Sequence, residues 1–274
     1  MERLEYALAK ARQARHKRLR GGRATTAPVA APAGDPKADW SGLSEIKIPL
    51  RHAALNRLGA TMGGTYAAPY DMLRVRVLRQ MKQAGLRRLV ITSPNKSCGK
   101  TTISANLALS IARQPSLRVI LMDFDLRRPA LAHLLGGQSQ AGNLADMLRG
   151  RSDFADHALR YGENLAFCPN RAPVPHSAEL LHHPDTGALL DRIEAEWKPD
   201  LIIFDMPPML GNDDTIGFLP HADSALLVGA AGSTTLGQID SCERELNNLT
   251  TIVGTVLNKC RYLDDTEGYG YGQY

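Results

Sequence analysis

Short apolar runs that end in polar residues recur along the chain, and segments with helical spacing separate them. The apolar runs lie at residues 89–92, 119–123, 201–205, 225–228 and 252–257. The helical segments lie at residues 101–113, 131–135, 178–181 with 187–197, and 236–249. Runs without polar positions are typical of strands that are buried on both faces. This alternation predicts an α/β fold with a doubly wound, mainly parallel sheet that binds ligands at the carboxyl ends of its strands.

The composition favours a folded body and excludes several classes of protein. With 43% hydrophobic and 22% charged residues among 274, the chain has enough apolar material for a sizeable core. No apolar run reaches the roughly 18–20 residues of a membrane-spanning helix, and the N-terminus lacks the apolar segment of a signal peptide. The four cysteines lie far apart without a C-x-x-C pair, so we expect reduced thiols and a cytoplasmic protein.

The net charge of +5 lies entirely in an N-terminal arm. Residues 1–40 hold nine Lys/Arg and four Asp/Glu, and the rest of the chain holds equal numbers of basic and acidic residues. A neutral body argues against a broad basic face, so no nucleic-acid partner is expected. Within the arm, Leu4, Ala7, Leu8 and Ala11 share one helical stripe, which is typical either of a short docking helix or of a solvated tail.

The chain is predicted to have three parts. Residues 1–40 form a disordered basic arm, in which a short amphipathic segment precedes a linker rich in Ala, Pro and Gly. Residues 41–262 form the folded domain, and residues 263–274 form a flexible, tyrosine-rich tail. Folded structure is therefore expected to begin near Trp40.

A candidate phosphate-binding loop follows the first apolar run. The sequence S-P-N-K-S-C-G-K-T-T occupies residues 93–102 and leads into a helical segment. In such a loop, backbone N–H groups and the helix N-terminus hold anionic phosphates. Lys100 would reach the β- and γ-phosphates, and the Thr101 hydroxyl would be a ligand of Mg²⁺. The usual motif has glycine where this chain has Pro94, so Gly99 is the position with full conformational freedom.

Two later apolar runs end in aspartate. Asp123 ends the second run and Asp205 ends the third. If the strands are parallel neighbours, both carboxylates lie beside the loop, where a hard octahedral cation needs oxygen ligands. A single aspartate at such a place is also common as a helix cap or a turn residue. Three elements in this order favour the metal site.

These elements resemble, in order and wording, the Walker A, Walker A′ and Walker B motifs of bacterial tyrosine kinases. They are the loop with G-K-T-T, the strand ending D-F-D-L-R-R-P, and the strand ending F-D-M-P-P; further matches lie at residues 142–148, 176–181 and 256–258. The family comprises CpsD/CapB-like autokinases and the cytoplasmic domain of Wzc-like proteins, which act in exopolysaccharide and capsule biosynthesis. The resemblance covers residues 65–262 and implies a P-loop NTPase fold of the deviant Walker type.

The resemblance also implies a set of site residues. The catalytic residues would be Lys100, Asp123, Asp125, Arg127 and Asp205. The residues that bind ATP would be Ser97, Cys98, Gly99, Lys100, Thr101, Thr102 and Asn258. The ligands of Mg²⁺ would be Thr101, Asp123 and Asp205.

Several of these roles have an alternative. Asp125 either accepts the proton of the substrate tyrosine or orients Arg127 or the metal-bound waters. Arg127 and Arg128 either stabilise the transferred phosphoryl group or form salt bridges with the following helix. Asn258 would contact the adenine by resemblance, and its alternative is an ordinary turn residue.

Half of the tyrosines lie at the C-terminus. Four of the eight, Tyr262, Tyr269, Tyr271 and Tyr274, fall within the last thirteen residues. Kinases of the resembled family carry such a cluster and phosphorylate it on a neighbouring subunit. The alternative is a tail in which the tyrosines are incidental or dock on a surface.

The resemblance therefore implies an ATP- and Mg²⁺-dependent protein-tyrosine autokinase that regulates exopolysaccharide or capsule polymerisation and export. The implied partners are a separate membrane-bound co-polymerase or activator, further copies of the chain as a homo-oligomer, and a cognate tyrosine phosphatase. Contact with the activator would place the protein at the inner face of the cell membrane. Residues 71–76 resemble the family's E-x-x-R-x-x-R subunit-contact motif, with Val77 where the second arginine is expected. The alternatives are a nucleotide-gated scaffold without kinase activity and a partition-type ATPase similar to ParA and MinD.

Overall fold

The computed structural model describes residues 39–137 and 142–260, which contain an eight-stranded sheet. The strands are β1 (Ser44–Glu45), β2 (Arg88–Thr92), β3 (Val119–Asp123), β4 (Leu159–Tyr161), β5 (Leu165–Cys168), β6 (Leu201–Asp205), β7 (Ser224–Ala230) and β8 (Thr251–Asn258). Their order across the sheet is β1-β4-β5-β3-β6-β2-β7-β8. All neighbours are parallel except β4 and β5, which are antiparallel. The predicted doubly wound, mainly parallel sheet is confirmed.

Helices cover both faces of the sheet. They are α1 (Leu50–Leu55), α2 (Gly64–Ala84), α3 (Lys100–Ala112), α4 (Leu131–Leu134), α5 (Leu144–Leu148), α6 (Ser177–His182), α7 (Pro184–Trp197), α8 (Asp214–Phe218) and α9 (Leu236–Leu249). Single 3₁₀ turns occur at Gly59–Thr61, Phe154–Asp156 and Leu219–His221. Helices α1 to α4 pack on one face, and α5 to α9 pack on the other. The described residues contain no helix long and apolar enough to cross a membrane.

The central strands are apolar throughout because each of them contributes to two cores. In β3, Val119 and Leu121 pack with helices α1 to α4, whereas Ile120 and Met122 pack against the opposite helical layer. Strand β6 alternates in the same way. Successive side chains of a strand point to opposite faces, so a strand between two helical layers needs apolar residues at every position.

The N-terminal end of the described chain is packed into the core. Trp40 is 2% exposed, and its Nε1 donates a hydrogen bond to the carbonyl oxygen of Trp197 at 2.9 Å. The guanidinium of Arg118 lies 5.2 Å from the centroid of the Trp40 ring. The predicted amphipathic stripe, the linker and the tyrosine cluster lie outside the described residues, and the three-part division of the chain stays a prediction.

The strand register brings three strand ends together. Asp123 of β3 pairs with Asp205 of β6, and Ile91 of β2 pairs with the same aspartate on its other side. Strands β3, β6 and β2 therefore finish at one edge of the sheet. The loop that follows β2 and the carboxylates that end β3 and β6 are neighbours for this reason.

Candidate functional site

A tight loop connects β2 to α3. Ser97 has a φ of +63° and Gly99 a φ of +93°, so two positions adopt the left-handed region within three residues. A Cβ atom at Gly99 would lie 2.2 Å from Nδ2 of Asn258. That Nδ2 donates to the carbonyl oxygen of Cys98 at 2.9 Å. The loop conformation thus depends on a glycine at position 99 and on the side chain that ends β8.

The loop presents backbone N–H groups without acceptors. In the described part of the chain, the amides of residues 96–100 donate no hydrogen bond. They precede the first turn of α3, a helix of thirteen residues whose dipole is positive at this end. Free amides at a helix N-terminus form an anion-binding concavity. The side chain of Lys100, 7% exposed, adds a positive charge to it.

Asp205 is held by the first turn of α3. Its Oδ2 accepts a hydrogen bond from the Thr101 hydroxyl at 2.5 Å, and its Oδ1 accepts one from the Ser104 hydroxyl at 3.3 Å. Complete burial raises the pKa of Asp205 to about 6, although the charge of Lys100 opposes this rise. A hydroxyl that donates to a carboxylate keeps its oxygen lone pairs for a cation.

Asp123 is fully buried and has one unpartnered oxygen. Its Oδ2 accepts hydrogen bonds from the backbone N–H groups of Ala130 at 3.1 Å and Leu131 at 2.9 Å. Its Oδ1 has no hydrogen-bond partner among the described residues. Burial, followed by the neighbouring charge of Asp205, raises the pKa of Asp123 well above its usual value. A bound cation would reverse this effect, because it favours the ionised carboxylate.

Asp125 lies in the loop that follows β3, close to Lys100. It is 8% exposed, its Oδ1 accepts a hydrogen bond from the Arg128 amide at 3.1 Å, and its Oδ2 lies 3.9 Å from Nζ of Lys100. Burial raises the pKa of Asp125, and the Lys100 charge lowers it. The carboxylate is therefore positioned to take up a proton beside the anion-binding loop.

These residues fit a nucleotide with Mg²⁺. No group of three or more His, Cys, Asp or Glu within residues 39–137 and 142–260 is arranged to hold a metal alone. Mg²⁺ needs no such cage, because it takes one or two carboxylates and completes its octahedron with phosphate oxygens and water. The unpartnered Oδ1 of Asp123 and the Thr101 hydroxyl are hard oxygen donors of the required kind.

The two arginines that follow Asp125 differ in their contacts. Nε of Arg127 donates to Oδ2 of Asp214 at 2.6 Å, and its Nη2 lies 3.5 Å from Oδ1 of Asp213. Arg127 therefore forms a salt bridge, but its partners lie at the start of α8 and not on the following helix, α4, as one of the two alternatives predicted. The side chain of Arg128 is exposed.

The segment that resembles a subunit-contact motif makes contacts within the chain. Asp71 accepts a hydrogen bond from the Ser110 hydroxyl at 2.6 Å and forms an ion pair with Arg113 at 2.8 Å. Nη1 of Arg74 donates to the Ser110 carbonyl oxygen at 2.8 Å. The first acidic and basic residues of the motif thus tie α2 to α3.

Three further residues contact the site and were not predicted from the sequence: Ser177, Asp214 and Thr234. The buried Asp214 carboxylate accepts hydrogen bonds from Arg127 and from the Ser177 hydroxyl, and the Thr234 hydroxyl donates to or accepts from Sγ of Cys98 at 3.6 Å. Asp214 lies nine residues after Asp205 in the sequence D-D-T. This local sequence does not distinguish Asp214 from an ordinary helix cap. Only the fold brings these segments together.

The site consists of a strand, a loop with free amides and a helix, with two aspartates from the ends of neighbouring strands beside the loop. This arrangement is typical of P-loop nucleotide-binding proteins. Residues 89–267 match the family described as the CobQ/CobB/MinD/ParA nucleotide binding domain. The chain belongs to this family.

Relatives within this class are named as tyrosine kinases. The chain is 31% identical over 205 residues to tyrosine-protein kinase Wzc of Salmonella typhimurium, covering 74% of this chain and 28% of that protein. It is 32% identical over 208 residues to the putative tyrosine-protein kinase EpsB of Ralstonia nicotianae, covering 73% of this chain and 26% of that one. Tyrosine-protein kinase CpsD of Streptococcus pneumoniae serotype 4 is 28% identical over 183 residues, which are 66% of this chain and 79% of CpsD. The chain thus spans little more than a quarter of the first two relatives.

Solved structures show the same fold. The kinase domain of Escherichia coli tyrosine kinase ETK superposes with a TM-score of 0.66 at 27% identity, covering 77% of this chain and 82% of that one. The septum site-determining protein MinD of Pyrococcus horikoshii, complexed with Mg-ADP, superposes with a TM-score of 0.54 at 22% identity over 65% of this chain and 72% of that one. The resemblance to bacterial tyrosine kinases is confirmed at the level of fold and relatives.

Proposed function

We propose that the chain is an ATP- and Mg²⁺-dependent protein-tyrosine kinase. The observation that carries the proposal is the convergence of Lys100, Asp123, Asp125 and Asp205 on one loop with free amides, in a chain whose named kinase relatives match over about 200 residues. Phosphoryl transfer requires placed charges and donors more than covalent chemistry from the protein. The site offers both.

The proposed roles follow from the geometry. The amides of residues 96–100 and the Lys100 ammonium bind the phosphates. Asp123 and Asp205, with the Thr101 hydroxyl, hold the cation directly or through water. When bound, MgATP supplies the phosphoryl group and shields its charge. Asn258 fixes the loop through the Cys98 carbonyl, and an adenine contact is a further role proposed for it from the family resemblance.

Asp125 is the residue we assign to the tyrosine proton. Its carboxylate is largely buried, its pKa is raised by that burial, and it lies beside Lys100 where phosphates bind. A base with a raised pKa is better matched to a phenol than an exposed carboxylate is. If Asp125 instead orients metal-bound water, Asp125→Asn changes the Mg²⁺ dependence of the rate and leaves its pH profile in place.

The proposed substrates are the tyrosines at residues 262–274 of a second copy. The four tyrosines are Tyr262, Tyr269, Tyr271 and Tyr274. The cellular role proposed from the relatives is regulation of exopolysaccharide or capsule polymerisation and export, at the inner face of the membrane through a separate co-polymerase or activator. A cognate tyrosine phosphatase and self-association as a homo-oligomer belong to the same proposal.

Mass spectrometry of the purified chain tests the activity. The wild type, Lys100→Met and Lys96→Met are incubated with ATP and Mg²⁺, with and without a candidate activator segment, and phosphotyrosine is mapped by peptide mass. Phosphate on the C-terminal tyrosines of wild type and Lys96→Met, and not of Lys100→Met, is expected. Lys96 is the matched control because it is an exposed lysine of the same loop. Equal phosphate on Lys100→Met contradicts the proposal.

A second candidate is a nucleotide-gated scaffold without kinase activity. The observation that favours it is the altered loop, in which Pro94 replaces glycine and Ser97 adopts a positive φ that favours glycine. Measurable ATP binding without phosphotyrosine, after an activator has been tested, supports this candidate. A partition-type ATPase, which the MinD-like fold also permits, would instead hydrolyse ATP without modifying the tail.

A further inference from the structure

A buried carboxylate outside the predicted site has both of its oxygens held by side chains. Asp214 is the first residue of α8 and has no exposed surface. Its Oδ2 accepts a hydrogen bond from Nε of Arg127 at 2.6 Å, and its Oδ1 accepts one from the Ser177 hydroxyl at 2.5 Å. A buried carboxylate with two charge-assisted hydrogen bonds of this length is fixed in position. The side chain therefore joins the start of α6, the start of α8 and the segment after β3.

Arg127 lies on the segment that carries the metal and proton residues. It follows Asp125 by two positions and Asp123 by four. The segment is also held at its start, where the Phe124 amide donates to the Asp205 carbonyl oxygen at 2.9 Å, and near its middle, where the Val174 amide donates to the Leu126 carbonyl oxygen at 2.8 Å. The guanidinium fixes the stretch between Asp125 and Pro129 from the side of α8.

The contacts of Arg127 with α8 occupy two of its three nitrogen atoms, which favours a positioning function over direct contact with the phosphoryl group. Its Nε is engaged by Asp214, and an Nη2 atom points to Asp213 at 3.5 Å. The neighbouring Asp214 charge also raises the pKa of Asp125, after the larger effect of burial and against the effect of Lys100. A guanidinium between two acidic side chains neutralises charge that would otherwise reach the phosphates.

We propose that Asp214 is a positioning residue for nucleotide-bound Mg²⁺, acting through Arg127 to set the location of Asp123 and Asp125. Ser177 supports this function by holding the second carboxylate oxygen. The inference rests on the proposed nucleotide site and is independent of whether phosphate is transferred to tyrosine. In this proposal Arg127 holds the segment after β3 in position and contacts no phosphate.

The test compares ADP binding with and without Mg²⁺ by calorimetry on the full chain. The variants are Asp214→Asn, Arg127→Met and the double variant. Asp213→Asn is the matched control, because the Asp213 side chain is 71% exposed and lies 3.5 Å from the same guanidinium. Each variant of the pair, and the double variant, is expected to weaken MgADP binding about tenfold. Their affinity for ADP in EDTA is expected to stay within twofold of wild type, as is every value for Asp213→Asn.

The double variant separates positioning from simple support of the fold. Arg127→Met leaves the buried Asp214 carboxylate without its charged partner, whereas replacing both residues relieves that penalty. The thermal midpoint should therefore recover in the double variant while the Mg²⁺-dependent affinity does not. If Asp214→Asn fails to fold, Ser177→Ala provides the milder change, with an expected two- to threefold loss in MgADP affinity.

Three outcomes overturn the inference. If Arg127 acts only through the segment, Arg127→Met loses no more MgADP affinity than Asp214→Asn does. A much larger loss for the arginine variant would show direct phosphate contact. An equal loss of ADP affinity in EDTA would show a distorted phosphate loop. A lower thermal midpoint with unchanged MgADP affinity would show a purely structural network. Failure of the kinase proposal itself leaves these binding measurements intact.

Discussion

The carboxylates at the ends of β3 and β6 destabilise the native state when they are ionised. Burial raises the pKa of Asp205 from 3.8 to about 6, and it raises that of Asp123 well above 3.8. A carboxyl group with a raised pKa binds its proton more tightly in the native state than in the unfolded chain. The stability of the native state therefore falls as the pH rises from the unfolded pKa to the folded pKa.

Replacing Asp205 tests this linkage. In EDTA, the free energy of unfolding of wild type relative to Asp205→Asn is expected to fall by roughly 2 kcal/mol between pH 4 and pH 7.5. The expected loss is concentrated between pH 4 and pH 6, because the two pKa values bound that interval. Urea unfolding at a series of pH values measures it. A difference that stays constant with pH shows that Asp205 does not titrate in this window.

Gly99 gives a second prediction at the scale of one residue. Alanine there combines a φ of +93° with a Cβ 2.2 Å from Nδ2 of Asn258, so the loop must change its conformation. We expect Gly99→Ala to cost roughly 1–3 kcal/mol of stability and to weaken ADP binding more than tenfold. Gly85→Ala is the control, since Gly85 has a φ of +68° but open space around its Cβ position. It should lose stability and keep its ADP affinity; equal binding losses would refute the steric account.

At the scale of elements, the sequence predicts the buried centre of the fold well. The apolar runs at 119–123 and 201–205 coincide with β3 and β6, and the segment 236–249 coincides with α9. These elements are buried on both faces or strongly amphipathic, so their residue pattern alone specifies them. The convergence of Asp123 and Asp205 follows from parallel pairing in register.

The missed elements have weak patterns for a physical reason. Strands β1 and β4 are two and three residues long, and α2 has a proline at position 69 inside it. Strands this short have little apolar periodicity, and a proline argues against a helix interior. The pairing of Arg127 with Asp214 was equally beyond sequence reasoning, because the residues are 87 positions apart and meet only after the sheet is assembled.

Trp40 anchors the segment that precedes β1 to the core, and replacing it tests this anchoring. Its indole is 2% exposed and donates a hydrogen bond to Trp197. We expect Trp40→Ala to lower the free energy of unfolding by about 3–5 kcal/mol, and Trp40→Phe, which loses mainly the hydrogen bond, by about 1 kcal/mol. Denaturant unfolding measures both. A loss below 1 kcal/mol for alanine would mean that this segment is not part of the core.

At the scale of the whole molecule, charge separates the arm from the body. All of the net charge of +5 lies in the first 40 residues, so any binding to DNA should be weak, non-specific and steeply dependent on salt. Replacing Arg12, Arg15, Lys17, Arg18 and Arg20 with glutamine is expected to abolish it in an anisotropy assay at 50 mM salt. Retained binding would place a basic surface on the body and favour the partition-type alternative.

The central claim is that one copy of the chain transfers phosphate from ATP to the tyrosines of another. The most direct measurement mixes two variants that are each incomplete. Lys100→Met keeps the tyrosine cluster and lacks the phosphate-binding lysine. The variant with phenylalanine at positions 262, 269, 271 and 274 keeps the site and lacks the cluster.

After incubation with ATP, Mg²⁺ and any activator that the wild type requires, intact-mass spectrometry reads both chains in one sample. Phosphate is expected on the Lys100→Met chain in the mixture, and none is expected on that chain alone. No phosphate in the mixture, under conditions in which the wild type is phosphorylated, would contradict transfer between copies. Phosphate on Lys100→Met incubated alone would contradict the assigned site.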